Sequence, residues 1–266
     1  MGSFLGRLEL ILKPSGGIAE HSFALIPVHE TDFAEDREMK RVVVRALKPY
    51  RERMSRVVAE SRAPILRYDV LETTADNLIS DAVREAAKAD IGFSDGFRFR
   101  LPIPAGKVTE GDLWNLLPLD TRLKVGWVTG IELKHYFENE LELFFSADPW
   151  KLSGGWGPRA SGMTMTYAAR APVVKRLRSV KVSGKEVDDS NCYSIAGCER
   201  EGEPLDVVCR NRGTHDVRIL PSTLHVMLLD YCKRKQVLDV HRDGRAIAID
   251  LPREVFSQDA VFSTRL

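Results

Sequence analysis

The sequence has few of the features on which membrane-spanning, exported or disulfide-stabilised proteins depend. No stretch approaches the ~20 consecutive apolar residues of a membrane span, and residues 1–7 lack the basic segment and apolar run of a signal peptide. Only four cysteines are present, and none lies in a C-x-x-C pair. This spacing predicts buried free thiols rather than disulfides or a zinc site.

The chain also lacks an excess of charge of either sign. Lysine and arginine total 39 and aspartate and glutamate 38, which leaves a net charge of +1. We therefore expect no global attraction to nucleic acid polymers or acidic membranes, although a local basic patch could still bind a small anion. The length of 266 residues suits one large domain or a domain and a half.

Motifs of a self-sufficient hydrolytic centre are missing as well. Two-metal phosphoesterases use motifs such as D-x-H, G-N-H and G-H-x-H, yet none of the six histidines lies in G-N-H or G-H-x-H. The one D-x-H, Asp239-Val240-His241, lies in a polar stretch and is better explained as a chance match. There is no H-E-x-x-H, and no G-K-[ST] after the glycine-rich residues 153–159. We therefore predict no catalytic residues and no metal ligands here.

The N-terminal residues predict a β-hairpin. Apolar runs at 8–12 and 22–28 flank the turn sequence Pro14-Ser15-Gly16-Gly17. A two-stranded hairpin is marginally stable alone. We therefore expect it to need a larger sheet, for which the chain shows no other N-terminal strand.

A long, highly charged helix is predicted over residues 32–61. Its apolar residues recur at helical spacing in a narrow stripe: Met39, Val42, Val43, Leu47, Met54, Val57 and Val58. Lys48-Pro49 should kink or split the helix, because proline lacks the amide hydrogen that a helix interior needs. Such a helix suits a connector between two domains, and an ordinary surface helix fits the periodicity equally well.

From Pro64 onward, helical and strand patterns alternate, which predicts a mixed α+β fold. Residues 73–76 are expected to precede and cap an amphipathic helix over residues 77–86. Further helices are predicted to begin at 108 and 129 and to span 220–232, with strands at 89–93, 123–128, 163–167, 174–182 and 193–197.

Six short motifs, in order along the chain, resemble those of the 5'-nucleotidase C-terminal domain family. Residues 72–82 resemble E-x-x-x-G-N-L-x-x-D-A, with Asp76 at the glycine position and Asn77 at the asparagine. Ser94-Asp95-Gly96-Phe97-Arg98 resembles the loop N-G-G-x-R. The other four matches are 108–113 to I-T-x-x-D-L, 117–121 to x-P-F-x-N, 128–133 to L-T-G-x-x-L, and 180–193 to v-x-v-x-G-x-x-l-x-x-x-x-x-Y.

The resemblance implies a fold class and a domain arrangement. The fold would be α+β, a mixed α/β C-terminal domain of the 5'-nucleotidase type, preceded by a remnant β-hairpin and a long connector helix. Residues 1–31 would be the remnant of the end of a catalytic metallophosphoesterase domain, 32–61 the connector helix, 62–250 the C-terminal substrate-binding domain and 251–266 a tail. The chain would begin just after the family's metal ligands. A divalent metal pair of the manganese or zinc class is expected in the missing domain.

The resemblance also implies a function. In the family, the C-terminal domain binds the organic part of the substrate and rotates it onto the metals. This chain would then be the substrate-binding domain of a metal-dependent hydrolase that acts on a phosphate ester or a related anion, and it would be inactive alone. Its partners would be a small anionic substrate and a catalytic domain in cis or in trans, not a nucleic acid polymer or a membrane. The family is mostly periplasmic or secreted.

Candidate substrate-binding residues follow from the same motifs. Arg98 is the strongest, because a guanidinium presents fixed donors to an oxyanion and stays charged. The alternative is a surface arginine that caps a loop. Ser94, Asp95 and Asn77 are implied by the matched motifs, and Arg62 and Arg67 lie near positions where the family has anion-binding arginines.

The base-binding positions depart from the family pattern. Leu119 stands where nucleotidases have the first of two phenylalanines that clamp the base, and Thr121 where they have an asparagine. The second phenylalanine falls near residues 198–200, which include Glu199 and no aromatic residue. Because stacking on aromatic side chains is a common basis of base binding, we expect a poor adenine clamp.

Residues 147–164 resemble the thiosulfohydrolase branch of the same superfamily more closely. That branch has a D-P-Y…Q-G-G-D-x-x-R-x-G-G-[LM]-x-Y pattern and acts on a sulfur-oxidation carrier. Arg159 would then face an anionic substrate, and a solvated loop arginine is the alternative. The chain could instead be a fragment of such a thiosulfohydrolase, or a non-catalytic anion- or nucleotide-binding module.

Overall fold

The structure, a computed structural model, describes residues 4–67, 69, 71–94, 102–153 and 159–251. The chain forms two compact units, Met1–Glu52 and Arg53–Leu266. The first holds the predicted hairpin and the start of the predicted connector. The second holds the mixed α/β domain.

The predicted hairpin is confirmed. Strands β1 (Phe4–Leu12) and β2 (Ile18–Pro27) pair antiparallel, with Leu8 opposite Phe23. Gly16 and Gly17 form the turn with φ of 87° and 86°, a conformation that glycine adopts without steric cost. Because paired residues point to the same face, one face of the hairpin is largely apolar and exposed to solvent: Phe4, Leu8, Leu10, Phe23 and Leu25.

The predicted connector helix is shorter than expected. Helix α1 (Arg37–Leu47) begins at Asp36, whose side chain accepts a 2.7 Å hydrogen bond from the Met39 amide. It ends just before the Lys48-Pro49 pair, as predicted, and a short helix α2 (Arg51–Met54) follows. The last five residues of the predicted helix form strand β3 (Val57–Ser61) instead.

The larger unit alternates strands and helices. Its further strands are β4 (Ile91–Phe93), β5 (Gly106–Thr109), β6 (Arg122–Thr129), β7 (Ala160–Ser161), β8 (Met163–Tyr167), β9 (Leu177–Val182), β10 (Lys185–Glu186), β11 (Cys192–Cys198), β12 (His215–Thr223), β13 (Val237–Leu238) and β14 (Ala246–Ala248). Its further helices are α3 (Thr74–Ala87), α4 (Glu110–Leu116), α5 (Gly130–Phe145) and α6 (Leu224–Lys235).

A five-stranded mixed sheet in the order β12-β6-β11-β4-β7 lies at the centre of this unit. Within it β11 runs parallel to β4 and antiparallel to β6. A four-stranded sheet has the order β10-β9-β8-β14, and a three-stranded sheet has the order β13-β3-β5.

Two hydrophobic cores lie on opposite faces of the central sheet, as the alternation along β11 shows. Ala196 belongs to a core with apolar residues of α3, α4 and α6, whereas its neighbour Ile195 belongs to a core with α5 and the four-stranded sheet. Successive side chains of a strand point to opposite faces, so β11 contributes to both. The sheet is therefore covered on both sides.

Helix α3 packs unusually close to strand β4, which ends at the candidate site. A Cβ atom on Gly92 would lie 2.4 Å from the Ser80 carbonyl oxygen. Helix α3 begins three residues before its predicted start, and Thr73 caps it by accepting a hydrogen bond from the Asp76 amide. Two further threonines, Thr109 and Thr129, form capping boxes at the starts of α4 and α5.

Further sequence-based expectations require correction. The helix predicted to begin at 108 begins at Glu110, because β5 extends to Thr109. The helix predicted over residues 220–232 begins only at Leu224, because the preceding residues continue β12 up to Thr223. All four cysteines are free, but only Cys209 and Cys232 are buried. Cys192 is exposed and Cys198 half-buried.

Candidate functional site

The candidate site lies where β4 ends. Ser94 follows the last residue of β4, and Arg159 directly precedes β7, the neighbouring strand. The antiparallel pairing of these two strands brings the residues together, and the Ser94 amide donates a 3.0 Å hydrogen bond to the Arg159 carbonyl oxygen. Two site residues that were predicted from separate motifs are therefore neighbours.

Asp76, in the first turn of α3, is the centre of the site. Its carboxylate accepts hydrogen bonds from the hydroxyls of Thr73 at 2.6 Å and Ser94 at 3.0 Å. It also pairs with two guanidinium groups, those of Arg67 at 3.3 Å and Arg159 at 3.7 Å. Residues from three separate segments thus converge on one carboxylate.

The three charged side chains of this cluster are almost completely buried. The exposed fractions are 1% for Asp76, 2% for Arg67 and 3% for Arg159. Arg67 also donates to the Leu116 carbonyl oxygen at 3.2 Å, and Arg159 donates to the carbonyl oxygen of Asp69. Removing one partner of a buried ion pair typically costs about 3–5 kcal/mol. We therefore expect these ion pairs and hydrogen bonds to fix the positions of both arginine side chains.

A second carboxylate, Glu72, anchors the start of the same segment. It accepts hydrogen bonds from three consecutive backbone amides, those of Asp243 at 2.9 Å, Gly244 at 3.0 Å and Arg245 at 3.1 Å. Burial raises the pKa of Glu72 above its ordinary value, and the hydrogen bond from Asn77 acts in the opposite direction. Asn77 donates to Glu72 at 2.6 Å and to the His241 carbonyl oxygen at 2.9 Å, so these contacts of its amide are internal to the fold.

The other predicted residues lie near the start of β6. Leu119 is 52% exposed, and the Thr121 carbonyl oxygen accepts a 2.7 Å hydrogen bond from the Leu224 amide at the start of α6. Glu199 accepts a 3.0 Å hydrogen bond from the Arg122 side chain. Thr121 and Glu199 are thus both adjacent to Arg122. Ser94 and Arg159 contact Asp76, whereas the Asn77 side chain contacts Glu72. Asp95 and Arg98 lie outside the described residues.

Two charged residues of this site were not among the predicted binding residues. Asp76 and Glu72 appear in the sequence as ordinary members of a capped helix start. The one signal for Asp76 was that it stands where the resembling motif has glycine. Its contacts with Arg67 and Arg159, 9 and 83 residues away in sequence, depend on the tertiary fold.

A cleft of about 840 Å³ runs along α5 and is distinct from the candidate site. Its walls include His135, Asn139 and Arg212, and also the ion pair between Glu140 and Arg210. None of the predicted site residues within the described part of the chain lines it. Volume alone therefore does not identify the site.

The described residues do not fit a metal pair. Among them no group of three or more histidine, cysteine, aspartate or glutamate side chains is arranged to hold a metal ion. The carboxylate of Asp76 is paired with arginines, and that of Glu72 with backbone amides. Helices of the described segments are all too short or too polar to cross a membrane.

The sheet order, the two cores and the buried arginine pair define a mixed α/β domain with a preformed ionic centre at a strand end. The chain belongs to the 5'-nucleotidase C-terminal domain family, whose model matches residues 57–199, more than half of its length.

Known relatives share this domain but are much longer. The trifunctional nucleotide phosphoesterase YfkN of Bacillus subtilis is 24% identical over 199 residues, which are 70% of this chain and 13% of that protein. The protein named 5NUC of Lutzomyia longipalpis is 26% identical over 242 residues, 80% of this chain and 38% of that protein. The chain thus spans well under half of either relative.

Two solved structures share the fold. The sulfate thiohydrolase SoxB of Thermus thermophilus superposes with a TM-score of 0.77 at 22% identity, covering 94% of this chain and 45% of that one. A 5'-nucleotidase precursor, also of Thermus thermophilus, gives a TM-score of 0.76 at 19% identity, covering 94% and 51%. The fold class predicted from the sequence is confirmed.

Proposed function

We propose that this chain is the substrate-binding module of a nucleotidase-like, metal-dependent hydrolase, and that its ligand is a small anion such as a phosphate ester. The family match over residues 57–199 carries the proposal. The buried arginines beside Ser94 support it, because a guanidinium is suited to phosphate and other oxyanions. Hydrolysis would require a divalent metal pair of the manganese or zinc class, bound by a catalytic domain supplied in cis or in trans.

Within this proposal the predicted residues take two roles. Arg98, Asp95, Ser94 and Arg159 would surround the charged group of the ligand. Asn77 would act indirectly, through its hydrogen bond to Glu72. Leu119, Thr121 and Glu199 would face the organic part of the ligand. Leu119 offers an exposed apolar surface but no aromatic ring.

A thiosulfohydrolase-like substrate is the second candidate. It is favoured by the D-P-W and glycine-rich sequence over residues 148–157 that precedes Arg159. One solved structure with this fold is named a sulfate thiohydrolase. By analogy, the ligand of this chain would be an anion that contains sulfur and has no nucleobase. Leu119 and Thr121 in the base-binding positions fit this candidate better than a nucleotide.

Titration of the whole 266-residue chain with AMP, inorganic phosphate and thiosulfate distinguishes these functions. We expect weak binding of all three anions, and AMP should bind no more than about threefold more tightly than phosphate. Stacking on an aromatic side chain contributes about 1–3 kcal/mol per base, and no aromatic residue occupies the two clamp positions. The Arg159→Gln variant should weaken the binding of every anion.

The outcomes separate the candidates clearly. AMP binding that exceeds phosphate binding by a hundredfold would establish a nucleotide site despite Leu119. Thiosulfate binding that exceeds both would favour the second candidate. If none of the three anions binds at millimolar concentration, the proposed function is wrong.

A further inference from the structure

We infer that Asp76 is a specificity-determining residue, a resident carboxylate between two arginines that makes the site prefer anions of low charge. The inference rests on the proposed anion-binding function, because it concerns the charge of the ligand that binds there. It assigns to Asp76 a role beyond capping α3.

The Asp76 carboxylate lies between two guanidinium groups. One carboxylate oxygen lies 3.3 Å from a guanidinium nitrogen of Arg67, and the other lies 3.7 Å from a guanidinium nitrogen of Arg159. Guanidinium groups are frequent protein partners of carboxylates and phosphates. Asp76 therefore occupies with its own negative charge the position between two cationic groups.

The Ser94 hydroxyl links this ion cluster to the end of β4. It donates a 3.0 Å hydrogen bond to the same Asp76 oxygen that faces Arg67. A hydroxyl donates only one hydrogen, so Ser94 can offer its proton to an incoming anion only by giving up Asp76. The Asp76 carboxylate thus competes with the ligand for the Ser94 hydroxyl and for electrostatic attraction to the two arginines.

Low exposure makes this competition strong. All three charged residues are at least 97% buried, and charges interact more strongly in a poorly hydrated site than in water. The negative charge of Asp76 lowers the affinity for a divalent anion more than that for a monovalent one, since the repulsion scales with ligand charge. A residue that served only to hold the fold would not alter this ratio.

The test compares two tetrahedral oxyanions, sulfate with charge −2 and perchlorate with charge −1. Their dissociation constants are measured on the whole chain by amide NMR titration at constant ionic strength. We expect Asp76→Asn to raise the preference for sulfate over perchlorate about tenfold or more, because the variant keeps the shape of the side chain and removes its charge.

Asp81→Asn is the matched control. It removes the same charge from the same helix, five residues further along, where Asp81 forms a two-point ion pair with Arg245 at 2.8 and 3.0 Å. We expect it to leave the ratio of the two dissociation constants unchanged within about twofold.

The results separate this inference from the proposed function. If the wild-type chain binds anions and Asp76→Asn has the same sulfate preference, the inference is wrong and the proposed function stands. If neither chain binds either anion, both are wrong. Should Asp76→Asn fail to fold, Asp76→Ser supplies the second test. It removes the same negative charge and should also raise the sulfate preference, and an unchanged preference would overturn the inference.

Discussion

At the scale of single residues, Gly197 shows how tightly β11 is packed beside the candidate site. A Cβ atom on Gly197 would lie 2.1 Å from the Sγ atom of Cys209. Cys209 is fully buried and has a φ of 50°, followed by Arg210 with a φ of 68°. Two consecutive non-glycine residues with positive φ form a strained turn. The Tyr136 hydroxyl stabilises this turn by donating a 3.0 Å hydrogen bond to the Cys209 carbonyl oxygen.

Gly197→Ala should therefore destabilise the protein, and Cys209→Gly should largely rescue it. We expect Gly197→Ala to lower the free energy of unfolding by about 1–3 kcal/mol, the usual cost of overpacking a core. Cys209→Gly removes the clashing sulfur and suits a positive φ. Urea unfolding of the two single variants and the double variant should give a favourable coupling energy of about 1 kcal/mol or more. Additive effects would show that the two residues do not share the contact.

The residue scale also shows the limit of prediction for the site. Motif positions suggested Ser94 and Arg159 as binding residues, and the two are neighbours in the structure. Asp76 was not predicted as a site residue, because a helix-start aspartate is common and nothing local shows which arginines it faces. Long-range ionic contacts depend on strand pairing, here that of β4 with β7.

At the scale of elements, helix α6 depends on a cap from outside its own segment. Its N-cap residue, Thr223, makes no side-chain hydrogen bond to the helix. The Asp120 side chain provides the cap instead. It accepts hydrogen bonds from the His225 amide at 3.1 Å and the Thr223 hydroxyl at 2.9 Å. The loop that carries Leu119 and Thr121 is thus attached to the start of α6.

Asp120→Ala should destabilise α6 as the loss of an ordinary N-cap does. We expect the free energy of unfolding to fall by about 1 kcal/mol. Asp189→Ala is the control, since Asp189 forms an exposed ion pair with Lys134 and such pairs contribute about 0–1 kcal/mol. Chemical unfolding at neutral pH measures both. Equal losses in the two variants would mean that Asp120 acts only as a surface charge.

Elements with strong local signals were predictable, and those made by distant pairing were not. The helix at Thr73 and the strand at 163–167 follow from capping and alternation. Strand β3 was expected to be the last part of the charged helix, because Val57 and Val58 continue its apolar spacing. It is a strand because it pairs with β5 and, in parallel, with β13, whose Val237 lies opposite Glu60. No local pattern reveals a partner so far along the chain.

At the scale of the whole molecule, we expect a binding module that does not catalyse alone. Within the described residues the carboxylates of the site are occupied by arginines and backbone amides, and no group of potential ligands fits a metal ion. The chain also covers only about half of the solved structures that share its fold. The proposed function accordingly assigns binding to this chain and hydrolysis to a catalytic domain in cis or in trans.

The most direct test is a hydrolysis assay of the purified chain with manganese or zinc on AMP, UDP-glucose and p-nitrophenyl phosphate. We predict no metal-dependent product release above the protein-free control, from a preparation that still binds anions in titration. Metal-dependent turnover on the order of 1 s⁻¹, within the usual range of enzymes, would contradict the account if a chelator abolished it and added metal restored it.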